Sequence, residues 1–235
     1  MALTEAIENE EDENEPRRQS PSVAALVFVL LACMFLASAA TYRWDHRAAS
    51  FGSVDVGFFD DMTTHHLQAI ELATVYTRYG NDTLFRGDAS KIIFNQSGDI
   101  RQMRRALGEW RQSGTPDVAM EWMGMHSPQN AQPGMATPQQ FAAFSRARGH
   151  LLDDLFSALM INHHAGGIHM ADYAATHAKT NLARSLARMM ARDQRFEIAD
   201  MNLRRRQLGL PAHQPGDAVM ISATRHGGPA GIPVP

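Results

Sequence analysis

The chain has 235 residues with 22 basic and 25 acidic side chains, enough for one ordinary domain plus appendages and too few for a fusion of two enzymes. Seven of the acids lie in residues 1–16 with no base among them; setting aside that tail with Arg17 and Arg18 leaves 20 basic against 18 acidic residues, so no strongly basic nucleic-acid face is visible and no nucleic-acid partner is expected. A single cysteine, Cys33, excludes an intramolecular disulfide framework and a cysteine zinc cluster, whereas 14 Met and 11 His supply soft and borderline metal ligands.

In chain order, residues 1–22 form an acidic tail expected to be disordered. Residues 23–40 carry no charge and only Ser38 as a hydroxyl, and as a helix they would span roughly 27 Å. Arg17 and Arg18 precede the run, and Tyr42 and Trp44 follow it as interfacial anchors, so residues 23–41 read as a single transmembrane helix. Two other readings stand beside it: a cleaved signal peptide ending at Ala37-Ser38-Ala39, and a lipoprotein box at Leu30-Leu31-Ala32-Cys33. The apolar run extends beyond both. Arg43 and Arg47 balance the upstream pair, so the positive-inside count leaves the orientation open.

From residue 55 to 210 the chain is rich in Ala, Leu, Met and Arg with helical apolar spacing and no alternating β-branched runs. Phe58, Met62, His65, Ala69, Leu72 and Tyr76 share one stripe of a first helix. Ile93, Gln96, Ile100, Met103, Leu107 and Trp110 do the same for a second, with Asp82 as its N-cap, and together they give a hairpin over 55–112. Residues 113–137 hold Gly114, Pro116, Gly124, Pro128, Pro133 and Gly134, which break any helix and leave a Met-rich linker. Thr137-Pro138-Gln139-Gln140 is a capping box with Pro at the first helical position, opening a short helix over 138–148. Two long helices over 151–210 follow, with Thr180 capping the second, and the Pro- and Gly-rich tail 211–235 is expected to be disordered.

The second hairpin repeats the first. A shift of 98 residues superposes Asp55, Phe58, Met62, His65, His66, Ile70 and Ala73 on Asp153, Phe156, Met160, His163, His164, Ile168 and Ala171. The same shift puts Leu84, Arg86, Ala89, Gln96, Ile100 and Met103 on Leu182, Arg184, Ala187, Gln194, Ile198 and Met201. The fold class is therefore all-α: a four-helix bundle made of two repeated hairpins, whose linker is long enough to cross the bundle, preceded by one transmembrane helix.

Each half carries Met-x-x-His-His, placing Met62, His65 and His66, and again Met160, His163 and His164, within one helical turn where they could converge on one ion. Thioether and imidazole together suit copper, with Met favouring Cu(I) over zinc. His169 and Met170 enrich the second half, and Gly166 and Gly167 weaken its helix where something must approach closely. The linker adds Met120, Met123, Met125 and His126, either a soft-ligand arm or an apolar lid with Trp122. The bland alternative makes the Met residues gap fillers and the His residues hydrogen-bonded core groups, but four buried imidazoles are hard to satisfy that way. Gln96 and Gln194 on the facing stripes would support the imidazoles or merely set register. No Glu-x-x-His pair for a di-iron centre, no phosphate loop and no nucleophile arrangement stands out, so a non-catalytic role is favoured.

At Asp55-x-x-Phe58-x-x-x-Met62-x-x-His65-His66, at the matching run from Asp153 to His164 with Met170-Ala171 downstream, and at Gln194-x-x-Glu197-Ile198-x-x-Met201, the chain resembles the bacterial family known as domain of unknown function 305. The resemblance implies a ferritin-like bundle and, for some members, periplasmic copper binding. The leading expectation is a single-pass cell-membrane protein whose extracytoplasmic bundle sequesters or relays copper, with the membrane, metal ions and a copper-handling or membrane complex as partners. A metal-free structural subunit of a membrane assembly and a copper redox enzyme are the alternatives.

Overall fold

The computed structural model of the protein describes residues 23–45, 53–110 and 117–219, so the expected acidic tail 1–22 and the end of the chain from residue 220 lie outside the described residues. The chain divides into two compact units, Met1–Trp44 and Asp45–Pro235. Helix α1, Val23–Asp45, occupies the apolar run read as an anchor. Among the described residues no helix is long and apolar enough to cross a membrane.

The second unit is mostly helical: α2 (Val54–Tyr79), α3 (Thr83–Glu109), α4 (Pro138–Arg146), α5 (His150–His177) and α6 (Asn181–Gln207). Local chemistry sets the ends. Ser53, Asp82 and Thr180 each accept a hydrogen bond from the third residue on, and Thr137 and Gln140 form the reciprocal capping box. At Gly80 a Cβ would stand 2.5 Å from the Tyr76 ring, so the turn from α2 to α3 tolerates no side chain there. Helix α4 stops at Arg146, before the expected Gly149, and Gly149 instead precedes α5 with φ 60°, a left-handed value that favours glycine.

Helix α2 packs along α3, α5 along α6, and α2 meets α5. Two buried aspartates, equivalent in the repeat, tie the opposite ends of α2 and α5. Asp55 accepts from Lys179 N (2.8 Å) and from Thr180 N (2.7 Å) and Oγ1 (2.6 Å), while Asp153 accepts from Tyr76 Oη at 2.5 Å. The two helices therefore run antiparallel. One apolar cluster gathers Phe58, Phe59, Met62, Trp110, Trp122 and Met170. The other gathers Tyr76, Phe85, Phe144, Phe156, Met160 and Met201. Along α2 and α5 the paired histidines fall between these clusters, so a polar layer divides the core.

The linker holds a two-stranded antiparallel pair, β1 (Val118–Ala119) and β2 (Ser127–Pro128), and one 3-10 turn. It is laid along α2 by side chains of that helix. Asp61 accepts from Met120 N and Trp122 Nε1, both at 2.7 Å, and from Gln129 Nε2 at 2.9 Å. Gln68 bonds Ala136 in both directions, at 3.0 and 2.6 Å. Met120 takes a left-handed φ of 72°, costly for a side chain with a Cβ, at the residue whose N–H Asp61 holds.

Residues 211–219, expected to be disordered, are instead held by the bundle. Buried Arg205 pairs with Asp154 at 2.8 Å and donates to Pro211 O, Asn202 bonds His213 in both directions, and Asn162 binds Gly216 and Asp217. Proline and glycine content does not keep this segment loose, because its backbone groups are satisfied by side chains of neighbouring helices.

Candidate metal centre

His65 and His66 on α2 and His163 and His164 on α5 are all fully buried. Successive helical residues project roughly 100° apart, so neighbouring histidines cannot share one direction. His65 turns toward α5 and meets His163 ring to ring, with centroids 3.8 Å apart. His66 stands 3.4 Å from Asp99 on α3. His164 stands 2.7 Å from Glu197 on α6. The expected convergence within each Met-x-x-His-His turn thus gives way to one pairing across the two turns and two pairings outward.

His65 Nε2 donates to Pro133 O at 3.1 Å, and His163 Nε2 donates to His65 O at 2.9 Å. A carbonyl can only accept, so both rings carry their proton on Nε2 and keep the lone pair on Nδ1. Neither Nδ1 has a protein partner. On His66 and His164 the carboxylates lie beside Nε2 but off its hydrogen-bonding direction, and there too Nδ1 is unpartnered. Gln96 adds an amide with neither atom bonded, and Gln194 an unbonded Oε1. Among the described residues, no three His, Cys, Asp or Glu side chains are gathered into a finished metal cage.

Burial pushes His65 down to about 3, helped by the neighbouring His66, and burial likewise lowers His163, helped by His65. Both are neutral at physiological pH, the form that binds metal. Asp60 on α2 is pushed up to about 6 by burial and by Asp61 beside it. A pH dependence of stability follows. Because the folded value of His65 lies below its ordinary 6.5, the unfolded chain takes that proton first as the pH falls. The contribution of His65 is complete above pH 6.5 and drains at about 1.4 kcal/mol per pH unit below it. Asp60 works in the opposite sense between about 6 and its ordinary 3.8, so wild type must be compared with His65→Asn. In urea unfolding, wild type should lose about 2 kcal/mol more than the variant between pH 7 and 5. Equal losses would contradict a neutral, buried His65.

The thioethers divide. Met62 and Met170 are buried in the first apolar cluster and Met160 in the second. His169 is exposed on the outer side of α5, lining a shallow pocket with Pro133 and Met135, and does not join the other histidines. Met120 is buried against the first cluster and Met123 half-buried, while Met125 and His126 face solvent, the latter 3.7 Å from Glu121. The linker thus packs as a cover at Met120 and Trp122, while Met125 and His126 lie on its exposed side. The two glycines of α5 have distinct neighbours. A Cβ on Gly166 would lie 1.8 Å from Pro133 O, and one on Gly167 would lie 2.4 Å from Gln194 Oε1. Sequence reading missed Asp99 and Pro133 as partners of the histidines; for Asp99 the signal was its acidic counterpart Glu197, 98 residues on.

The family model described as domain of unknown function 305 matches residues 55–204. Among solved structures, a putative secreted protein from Streptomyces coelicolor is 30% identical, with a TM-score of 0.66 over 70% of this chain and 99% of that one. A fragment from Deinococcus radiodurans is 27% identical, with a TM-score of 0.57 over 68% of this chain and 99% of that one. CopM in its Cu(II)-bound form is 25% identical, with a TM-score of 0.54 over 66% of this chain and 97% of that one. No curated protein matches the chain.

Proposed function

The chain belongs to the domain of unknown function 305 family, and from that premise we propose that it is a copper-binding protein that sequesters or relays Cu(I) without turning over a substrate. One observation carries the reading: two fully buried imidazoles, His65 and His163, donate Nε2 to a backbone carbonyl and leave Nδ1 without a partner. Metal-ligating histidines are oriented in this way, the second nitrogen held by a carbonyl or carboxylate. A merely structural histidine would leave a buried polar atom unpaired at a cost of about 1–3 kcal/mol, and here that cost falls on both rings of a touching pair. CopM, the relative with a Cu(II)-bound form, points to the same element.

His65 and His163 are the core ligands in this reading, with Met62 and Met160 as the thioethers that favour Cu(I) over zinc. Copper when bound would satisfy the free imidazole nitrogens; the chain's own part is to hold the rings neutral and exclude water. We further propose that the long linker gives a ferritin-like connection and that α1 tethers the bundle to the cell membrane on its extracytoplasmic side. That placement would make a copper-handling membrane partner the recipient. The test is metal content. Purified without chelators from copper-supplemented cells, the full chain should retain copper whether or not zinc is also present; protein that stays copper-free after Cu(I) reconstitution would sink the reading.

A further inference from the structure

A second set of donors lies away from the His65 and His163 pair, in a cleft of about 230 Å³ between α3 and α6. His66 lines the cleft, and so do Gln96 and Asp99 from α3 and Gln194 and Glu197 from α6. Gln96 and Asp99 are three residues apart and share a helix face, as do Gln194 and Glu197, and the 98-residue repeat relates the two pairs. Three acids, Asp99, Asp193 and Glu197, line the cleft with one base, Arg101; Asp193 is paired with Arg192 at 2.8 Å, so Asp99 and Glu197 supply the field that favours cations. Of its polar groups, the fully buried His66 and the nearly buried Gln96 and Gln194 have atoms with no hydrogen-bond partner.

We propose that this cleft binds one divalent cation of borderline hardness, with His66, Gln96 and Asp99 as ligands and Glu197 supplying charge from the facing helix. The inference rests on reading the polar layer as metal-binding and divides it into a soft inner site and a harder outer one. Two ligands about 2.0–2.1 Å from one ion stand roughly 2.9 Å apart at a right angle and roughly 3.4 Å apart in a tetrahedron. The His66–Asp99 separation of 3.4 Å matches the tetrahedral spacing. Imidazole, carboxylate and amide oxygen suit Zn(II)-like ions, toward which the thioethers of Met189 and Met190 in the same cleft contribute little.

The test is calorimetric titration of the Cu(I)-loaded full chain with Zn(II). One equivalent should bind, and Asp99→Asn should weaken it by about 10- to 100-fold with helical content unchanged. His65→Asn should leave Zn(II) affinity intact. Should Asp99→Asn fail to fold, Glu197→Gln on the facing helix keeps the test open, since losing that cleft charge should weaken Zn(II) severalfold. Absence of Zn(II) uptake, or uptake indifferent to both acidic substitutions, would overturn the cleft site. A chain that binds Zn(II) here but retains no Cu(I) would overturn the copper reading and leave the cleft standing.

Discussion

Replacing His65 and His163 together by Asn is expected to lower the Cu(I) affinity of the chain by about 100-fold or more, because loss of even one supporting partner commonly costs about 10- to 100-fold. The rings touch, with centroids 3.8 Å apart, so the two substitutions should be non-additive. Asn stays polar and adds no volume but ends near the Nδ1 position, too short to reach Pro133 O, so helical content is followed beside the affinity. Competition with a Cu(I) chelator reads the effect. His169→Asn and His126→Asn, both at exposed positions, should leave the affinity unchanged. Equal losses at inner and outer histidines would mean that burial does not select the ligands.

The largest effect on stability is expected at Gly166. Its absent Cβ leaves room for Pro133, whose oxygen would stand 1.8 Å and carbon 2.4 Å from that atom. Helix propensity alone would reward Gly166→Ala with about 1 kcal/mol. Clash with backbone cannot be relieved by a rotamer change, however, so Pro133 and Gly134 must move, and His65 loses its acceptor. Gly166→Val should therefore destabilise the fold by about 2–4 kcal/mol, in the range of overpacked cores with a broken hydrogen bond, and weaken Cu(I) binding as well. Gly87→Ala is the contrast. Nothing lies within 4 Å of its Cβ position, so it should stabilise by about 0.5–1 kcal/mol. Thermal unfolding of both variants measures the difference, and a neutral Gly166→Val would show that the linker yields freely.

Most of the helical pattern was legible because it is written locally. Asp82, Thr180 and the Thr137–Gln140 box announce helix starts through side-chain bonds within a few residues. The repeat also placed the paired histidines, since a stripe of Phe58, Met62, His65 and Ala69 must face inward. What was not legible is long-range. Nothing near Asp61 in sequence shows that it binds Met120, Trp122 and Gln129, about 60 residues away. Likewise, adjacency of His65 and His66 suggested a shared ion, whereas helical geometry sends one to His163 and the other to Asp99. His169 looked like an added ligand beside Met170; one residue of helical rotation puts it on the outer surface while Met170 stays in the core.

Copper K-edge absorption of the Cu(I)-loaded chain tests most directly whether the polar layer is a copper site. The predicted spectrum has imidazole nitrogen and thioether sulfur around Cu(I). The sulfur contribution should fall in Met62→Leu with Met160→Leu, volume-conserving changes that spare the core. The nitrogen contribution should fall in His65→Asn with His163→Asn. A spectrum that neither pair of substitutions alters would contradict the account.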